Sequence, residues 1–192
     1  MSAATIIAFA LLAFVAVTIF KGVRIVPQGY KWIVQRLGKY HTTLNPGLNF
    51  VIPYVDEVAY KVTTKDIVLD IPSQEVISRD NAVLLMNAVA YINLTTPEKA
   101  VYGIENYAWA IQNLVQTSLR SIVGEMDLDD ALSSRDHIKA RLKASISDDI
   151  SDWGITLKTV EIQDIKPSHT MQAAMEEQAA AERQRRATVT KA

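Results

Sequence analysis

The sequence predicts an α+β fold, and three observations carry that expectation. Runs rich in β-branched and aromatic residues dominate residues 23–95. Two segments with apolar residues at three-to-four spacing follow, and one further β-rich run returns after Gly154. Strands, then helices, then a strand is not the order of a regularly alternating parallel fold.

The strands come first. Tyr30 to Leu37 is rich in strand formers, and Pro46-Gly47 is a turn signal before the short apolar run Leu48 to Tyr54. Val55 to Ile71 alternates in part, as at Val58, Tyr60 and Val62. Gln74 to Ser78 and Val83 to Asn93 continue the pattern around an Asp80-Asn81 turn. Thr96-Pro97-Glu98 then reads as a helix start, with a capping hydroxyl, proline at the first helical position and an acid in the first turn. A helix is predicted over Tyr107–Val123, with Ile111, Leu114, Val115, Ser118, Leu119 and Ile122 on one face. A second is predicted over Arg135–Trp153, with Ile138, Leu142, Ile146 and Ile150 as its stripe and Ser133 and Asp136 as a capping box. Gly154 ends it, and Ile155 to Ile165 is the return strand. Past Pro167 the chain is rich in Ala, Glu, Gln and Arg and lacks glycine, which suits a solvent-facing helix that wants a partner. That helix reads as the opening of a coiled coil. The expected organisation is an anchor over residues 2–20, a folded domain over 23–165 and a helical extension over 167–192.

Residues 2–20 carry no charged side chain. As an α-helix the run is roughly 28 Å long, close to the ~30 Å hydrocarbon core of a bilayer. Ten of its nineteen residues are Leu, Ile, Val or Phe: Ile6, Ile7, Phe9, Leu11, Leu12, Phe14, Val15, Val17, Ile19 and Phe20. A cleaved signal peptide would carry a basic residue before the apolar stretch and a small-residue cleavage site after it. Neither is present, since Ala8-Phe9-Ala10 lies inside the run. The segment therefore reads as an uncleaved transmembrane anchor. Lys21, Arg24, Lys31, Arg36 and Lys39 follow it closely, which by the positive-inside rule puts the N-terminus outside and the domain in the cytoplasm.

Of the 192 residues, 20 are Lys or Arg and 21 are Asp or Glu, so the net charge of −1 excludes a generally basic nucleic-acid binder. The distribution is uneven: residues 21–66 hold seven basic and three acidic residues, and residues 67–165 hold eight and fifteen. The basic zone beside the anchor suits anionic headgroups, at about 1 kcal/mol per Lys or Arg near the surface; pairing with the acidic zone is the alternative. Lys21 and Arg24 are candidates for the membrane surface. So are Phe50, Val51 and Ile52, if the run Leu48 to Tyr54 meets the bilayer and is not simply a core strand.

Chemistry is sparsely marked. The chain has no cysteine, which excludes disulfides, thiol nucleophiles and CxxC zinc sites. His41, His137 and His169 have no metal-binding spacing, and HExxH, GxSxG, GxGxxG and GxxxxGK[ST] are all absent. Asp127, Asp129 and Asp130 lack an EF-hand pattern and suit a helix start. No cofactor is expected. A serine peptidase is the enzymatic alternative, although no serine is marked as a nucleophile.

A series of ordered stretches is recognisable. Val26-Pro27-Gln28-Gly29-Tyr30 leads to Val34-Gln35-Arg36-Leu37-Gly38-Lys39-Tyr40, then to Leu44-Asn45-Pro46-Gly47-Leu48-Asn49-Phe50 and Ile52-Pro53. Asp70-Ile71-Pro72-Ser73-Gln74-Glu75-Val76, Trp153-Gly154-Ile155 and Ala181-Glu182-Arg183-Gln184-Arg185-Arg186-Ala187 continue it. Together they resemble the SPFH, or band 7, domain of the stomatin/prohibitin/flotillin proteins, and among these the bacterial stomatin-like paraslipins of the QmcA type.

The resemblance implies a non-enzymatic scaffold in the bacterial inner membrane. Members of the family are held by an N-terminal hydrophobic segment, form large homo-oligomers and organise membrane microdomains. It implies membrane lipids, FtsH-type proteases and NfeD-like membrane proteins as partners, and the charge balance leaves out nucleic acid. It favours membrane contact by the hairpin at Phe50, Val51 and Ile52, and it points to Glu182, Arg183, Arg185 and Arg186 for pairing between chains. A small-oligomer regulator of a protease or channel is a further alternative. Relatives continue beyond the Ala181–Ala187 motif with Ala/Glu-rich helix, so this chain is expected to be part of a longer one. Where they commonly carry Pro-Pro, it has Pro167-Ser168.

Overall fold

The structure, a computed structural model, describes the backbone of residues 3–190 and all their side chains except those of residues 3–6, 8, 10, 169, 170, 178, 182 and 185–190. The chain forms two compact units. Mixed helix and sheet is present in both, in accord with the α+β expectation.

The first unit comprises residues 1–66, 93–105 and 153–155. It holds α1 (Ala3–Gly22), β1 (Val23–Val26), β2 (Tyr30–Arg36), β3 (Lys39–Leu44), β4 (Gly47–Phe50), β5 (Asp56–Thr63) and α2 (Pro97–Gly103). β1 and β4 form a two-stranded antiparallel ribbon, and β3-β2-β5 form a three-stranded antiparallel sheet. Period-2 alternation turns Val26, Val34, Leu44 and Val51 inward, where Trp32 and Val58 pack on them. β2 returns into β3 through Leu37-Gly38, both at positive φ, the backbone pattern whose twist matches a two-residue hairpin. α2 lies over β2 and β3, where Gln35 Nε2 donates to Tyr102 Oη (2.8 Å). Proline does open α2 at Pro97, but the expected Thr96 hydroxyl cap does not form.

The second unit comprises residues 67–92, 106–152 and 156–192. Its sheet has the order β6-β7-β8, from β6 (Ile67–Ile77), β7 (Val83–Leu94) and β8 (Ile155–Pro167), with β6 and β7 antiparallel. α3 (Tyr107–Gly124) and α5 (Arg135–Asp152) fall where their periodicity placed them. The Asn106 side chain caps α3 by accepting from Trp109 N (3.0 Å). Ile111, Val115, Leu119, Ile122 and Val123 of α3 are buried, as are Ile138, Leu142, Ile146 and Ile150 of α5. Leu114 and Ser118, expected on the α3 stripe, are only half-buried at its margin.

One further helix was announced only by its acidic start at Asp127, Asp129 and Asp130. α4 (Leu128–Ser133) precedes α5, and Ser133 ends it, donating its hydroxyl to Asp129 O (2.7 Å). Ser133 therefore does not form a capping box with Asp136; Ser134 O accepts the first α5 bonds from His137 N and Ile138 N. Asp80 joins the β6–β7 turn to this region by accepting from Leu128 N, and the Ser78 hydroxyl holds its carboxyl below the usual range. Asp127 pairs with Arg79, and among the described residues no acidic or histidine cluster could hold a metal ion.

The two terminal helices frame the functional question. Among the described residues, no helix is long and apolar enough to cross a membrane. The spanning anchor expected over residues 2–20 is therefore not seen as a span. α1 itself has 20 residues, but the side chains of residues 3–6, 8 and 10 lie outside the description, and its unbroken run of described uncharged side chains, apolar but for Thr18, covers Leu11–Phe20, roughly 15 Å of helix. α6 (His169–Thr190) begins directly after Pro167-Ser168. There Ser168 is buried, and its hydroxyl accepts from Met171 N (3.4 Å) while its backbone N–H donates to Val83 O (2.9 Å).

Candidate membrane-facing surface

The expected surface residues assemble around the β1–β4 ribbon of the first unit. The register pairs Val23 with Phe50, Arg24 with Asn49, Ile25 with Leu48 and Val26 with Gly47. Cross-strand partners share a face, so Val23, Ile25, Leu48 and Phe50 lie on one side, and Arg24, Val26 and Asn49 on the other. Val26 carries the second side into the core at 2% exposure. Beyond the half-buried Val23 the first side is left uncovered: Ile25 is 70% exposed, Leu48 63% and Phe50 69%.

The ribbon is stitched to the end of α1. Val51 N donates to Gly22 O (2.8 Å), and a Cβ on Gly22 would stand 2.7 Å from Val51 O, so only glycine permits this approach. The stitch places exposed Phe20 beside the ribbon, in a groove shared with Lys21, Val23, Pro53 and Tyr54. Lys21 Nζ lies 5.5 Å from the centre of the exposed Tyr54 ring. A continuous set of large apolar side chains with no cover is what a membrane or partner contact needs, and single scattered ones would not serve.

Asp56 fixes the loop that follows. Its carboxylate accepts Arg36 Nε (2.7 Å) and a second guanidinium nitrogen (3.0 Å), and also Ile52 N (2.9 Å). The Arg36 hydrogen bonds hold its pKa down to about 2; burial opposes them, and the Ile52 N–H adds to them. The Asp56 side chain is only 3% exposed. A carboxyl with a folded pKa below its unfolded value stabilises the fold above about pH 4, and that contribution fades as pH falls through 2. Replacing Asp56 by alanine should cost about 2 kcal/mol, the scale of lost hydrogen bonds to a charged group. It should also flatten the loss of stability between pH 4 and 2, read as a melting-temperature profile against pH.

The structure distributes the expected site residues unevenly. Ile7, Phe9, Leu11, Leu12, Phe14, Val15, Val17, Ile19 and Phe20 are all exposed on α1, and the Ile6 side chain lies outside the described residues. Lys21, Arg24, Phe50 and Ile52 are exposed near the ribbon. Val51 is a correction: strand alternation turns it away from its two neighbours, and it sits in the core at 9% exposure. Arg183 is exposed on α6, and the side chains of Glu182, Arg185 and Arg186 lie outside the described residues. Ile25 was missed, because only its register opposite Leu48 reveals that it completes the apolar face.

The profile of the SPFH domain / Band 7 family matches residues 24–192. A protein of Methanocaldococcus jannaschii, itself uncharacterised, is 40% identical over 174 residues, covering 91% of this chain and 87% of that protein. Human stomatin-like protein 2, a mitochondrial protein, is 37% identical over 164 residues, covering 85% of this chain and 46% of the human one. An uncharacterised protein of Mycobacterium tuberculosis H37Rv is 36% identical over 179 residues, covering 93% and 47%. The chain thus spans about half the length of the human and mycobacterial relatives.

Proposed function

Because this chain belongs to the SPFH domain / Band 7 family, we propose that it is a non-enzymatic, membrane-anchored scaffold that gathers copies of itself and neighbouring membrane proteins. The observation that carries this reading is the uncovered apolar face of Ile25, Leu48 and Phe50, stitched through Gly22 and Val51 to the end of an apolar helix. Over its whole sequence α1 is long enough to span, about 30 Å for 20 residues, and its sole charged residue is Lys21 at the end. In this reading α1 sets the depth of each protomer. The ribbon face with Ile52 enters the bilayer boundary, and Lys21 and Arg24 lie at headgroup level. The proposed setting is a bacterial inner membrane, as the paraslipin resemblance implies, and the basic residues after α1 favour the N-terminus outside and the folded units in the cytoplasm.

Association is the scaffold's second half. α6 is polar and exposed over most of its described residues, and such a helix gains stability chiefly from a partner. The proposal gives it a coiled-coil partner in the neighbouring copy, with Glu182, Arg183, Arg185 and Arg186 pairing between chains. An FtsH-type protease and an NfeD-like membrane protein are proposed as clients. The test is chemical cross-linking in native membranes. A ladder of high-mass homo-oligomers is expected; a single hetero-pair would instead make the chain a small regulator of one partner.

A further inference from the structure

We propose that a groove beside β1, confined to the first unit, binds the phosphodiester headgroup of an anionic phospholipid. The groove, about 300 Å³, is lined by Arg24, Trp32, Val51, Asp56, Glu57, Val58 and Lys61. That volume is at the lower end of ordinary small-molecule sites, about 300–1,000 Å³. The proposal deepens the anchoring reading and rests on it for the depth at which the groove sits: Arg24 follows the last residue of α1 by two positions.

Charge and preorganisation argue for an anion here. Arg24 and Lys61 are exposed, and among the described residues neither makes a salt bridge. Lys61 stands opposite Trp32 in the β2–β5 register, with Nζ 4.7 Å from the centre of the indole ring. That stacking restrains the ammonium before any ligand arrives, which lowers the ordering cost of binding. Arg24 supplies the planar fork that meets two phosphate oxygens at once. Asp56 does not oppose them, since its charge is already engaged by Arg36. Glu57 is the one lining carboxylate with no such cation, so the groove carries a net positive charge and Glu57 tunes it downward. The adjoining groove shares Arg24, Val51 and Asp56 and adds Lys21, so a second cation is within the same surface.

A free phosphate offers the same oxygens, so the experiment separates the two sources. The full chain, purified in uncharged maltoside micelles, is titrated by calorimetry with dihexanoylphosphatidylglycerol, dihexanoylphosphatidylcholine and inorganic phosphate. The phosphatidylglycerol should bind on the order of 10-fold tighter than either of the others. The double substitution Arg24→Gln with Lys61→Gln should weaken it by on the order of 10-fold, and Glu57→Gln should strengthen it by about 3-fold, the scale of single charge-assisted contacts at an exposed site. All three positions are exposed, so these variants keep the fold, as circular dichroism would verify. Equal affinities for the two lipids, or an unchanged double variant, would overturn the site. Inorganic phosphate binding as tightly as phosphatidylglycerol would overturn its assignment to lipid. A chain that binds phosphatidylglycerol in this way yet is freed from membranes by alkaline washing supports the groove and overturns the anchor instead.

Discussion

Arginines placed together at Leu12 and Phe14 should abolish flotation of the chain with membranes. Both side chains are exposed on α1, at 69% and 63%, so the substitutions remove little packing. Each arginine near a helix centre disfavours insertion by about 2.5–3.5 kcal/mol, or about 5–7 together. The ten Leu, Ile, Val and Phe residues of the segment favour insertion by about 0.3–0.6 kcal/mol each, or roughly 3–6 in all. Two of those ten are themselves replaced, so the balance changes sign. Density-gradient flotation checks the result, with circular dichroism of the released chain reporting that both units still fold. Glutamine at the same two positions should have a much smaller effect, because an amide is far cheaper than a charge in hydrocarbon.

The largest single-site loss of stability should come from Gly154→Ala. Gly154 joins α5 to β8 at φ +70°, a left-handed conformation that costs an L-residue roughly 1–2 kcal/mol. A Cβ there would stand 2.5 Å from Thr96 O and 2.8 Å from the Cβ atoms of Thr96 and Lys99. Backbone is the nearest obstacle, so no side-chain rotation relieves it. The Gly154 carbonyl also accepts Thr95 N (3.0 Å) and Thr96 N (2.9 Å), and those bonds would be displaced with it. Overpacking of this kind costs typically 1–3 kcal/mol beyond the strain, so the total should be about 3–4 kcal/mol. For a chain of this size that lowers the melting temperature by roughly 10 °C. Gly103→Ala is the control: it lies at the end of α2 with open space around it, and should leave stability unchanged or slightly raised.

The sequence is most readable where periodicity is long. α5, a helix of 18 residues, repeats Ile138, Leu142, Ile146 and Ile150 at four-residue spacing, and α3 has a stripe of similar length. α4 has six residues, under two turns, and no period can establish itself in so short a helix; the serine that ends it imitates a cap for the next. β3 was missed because Lys39-Tyr40-His41-Thr42-Thr43-Leu44 has no apolar alternation, and because its hairpin turn is Leu37-Gly38 where Asn-Gly or Asp-Gly would have announced it.

The candidate surface was half visible for a similar reason. Apart from Asn49, Leu48 to Tyr54 is largely apolar, so the sequence marks a sticky run without saying which residues face out. The ribbon register settles that: Leu48 and Phe50 join Ile25 outside, and Val51 turns into the core. The Arg36–Asp56 pair spans 20 residues and two strands, and nothing local in either residue signals it.

The claim on which the rest depends is that α1 holds this chain in a membrane. Alkaline carbonate washing of membranes from cells producing the unaltered chain tests it most directly. Retention of the chain in the washed pellet, with release only by detergent, is the expected result. Quantitative release into the alkaline supernatant would contradict the account.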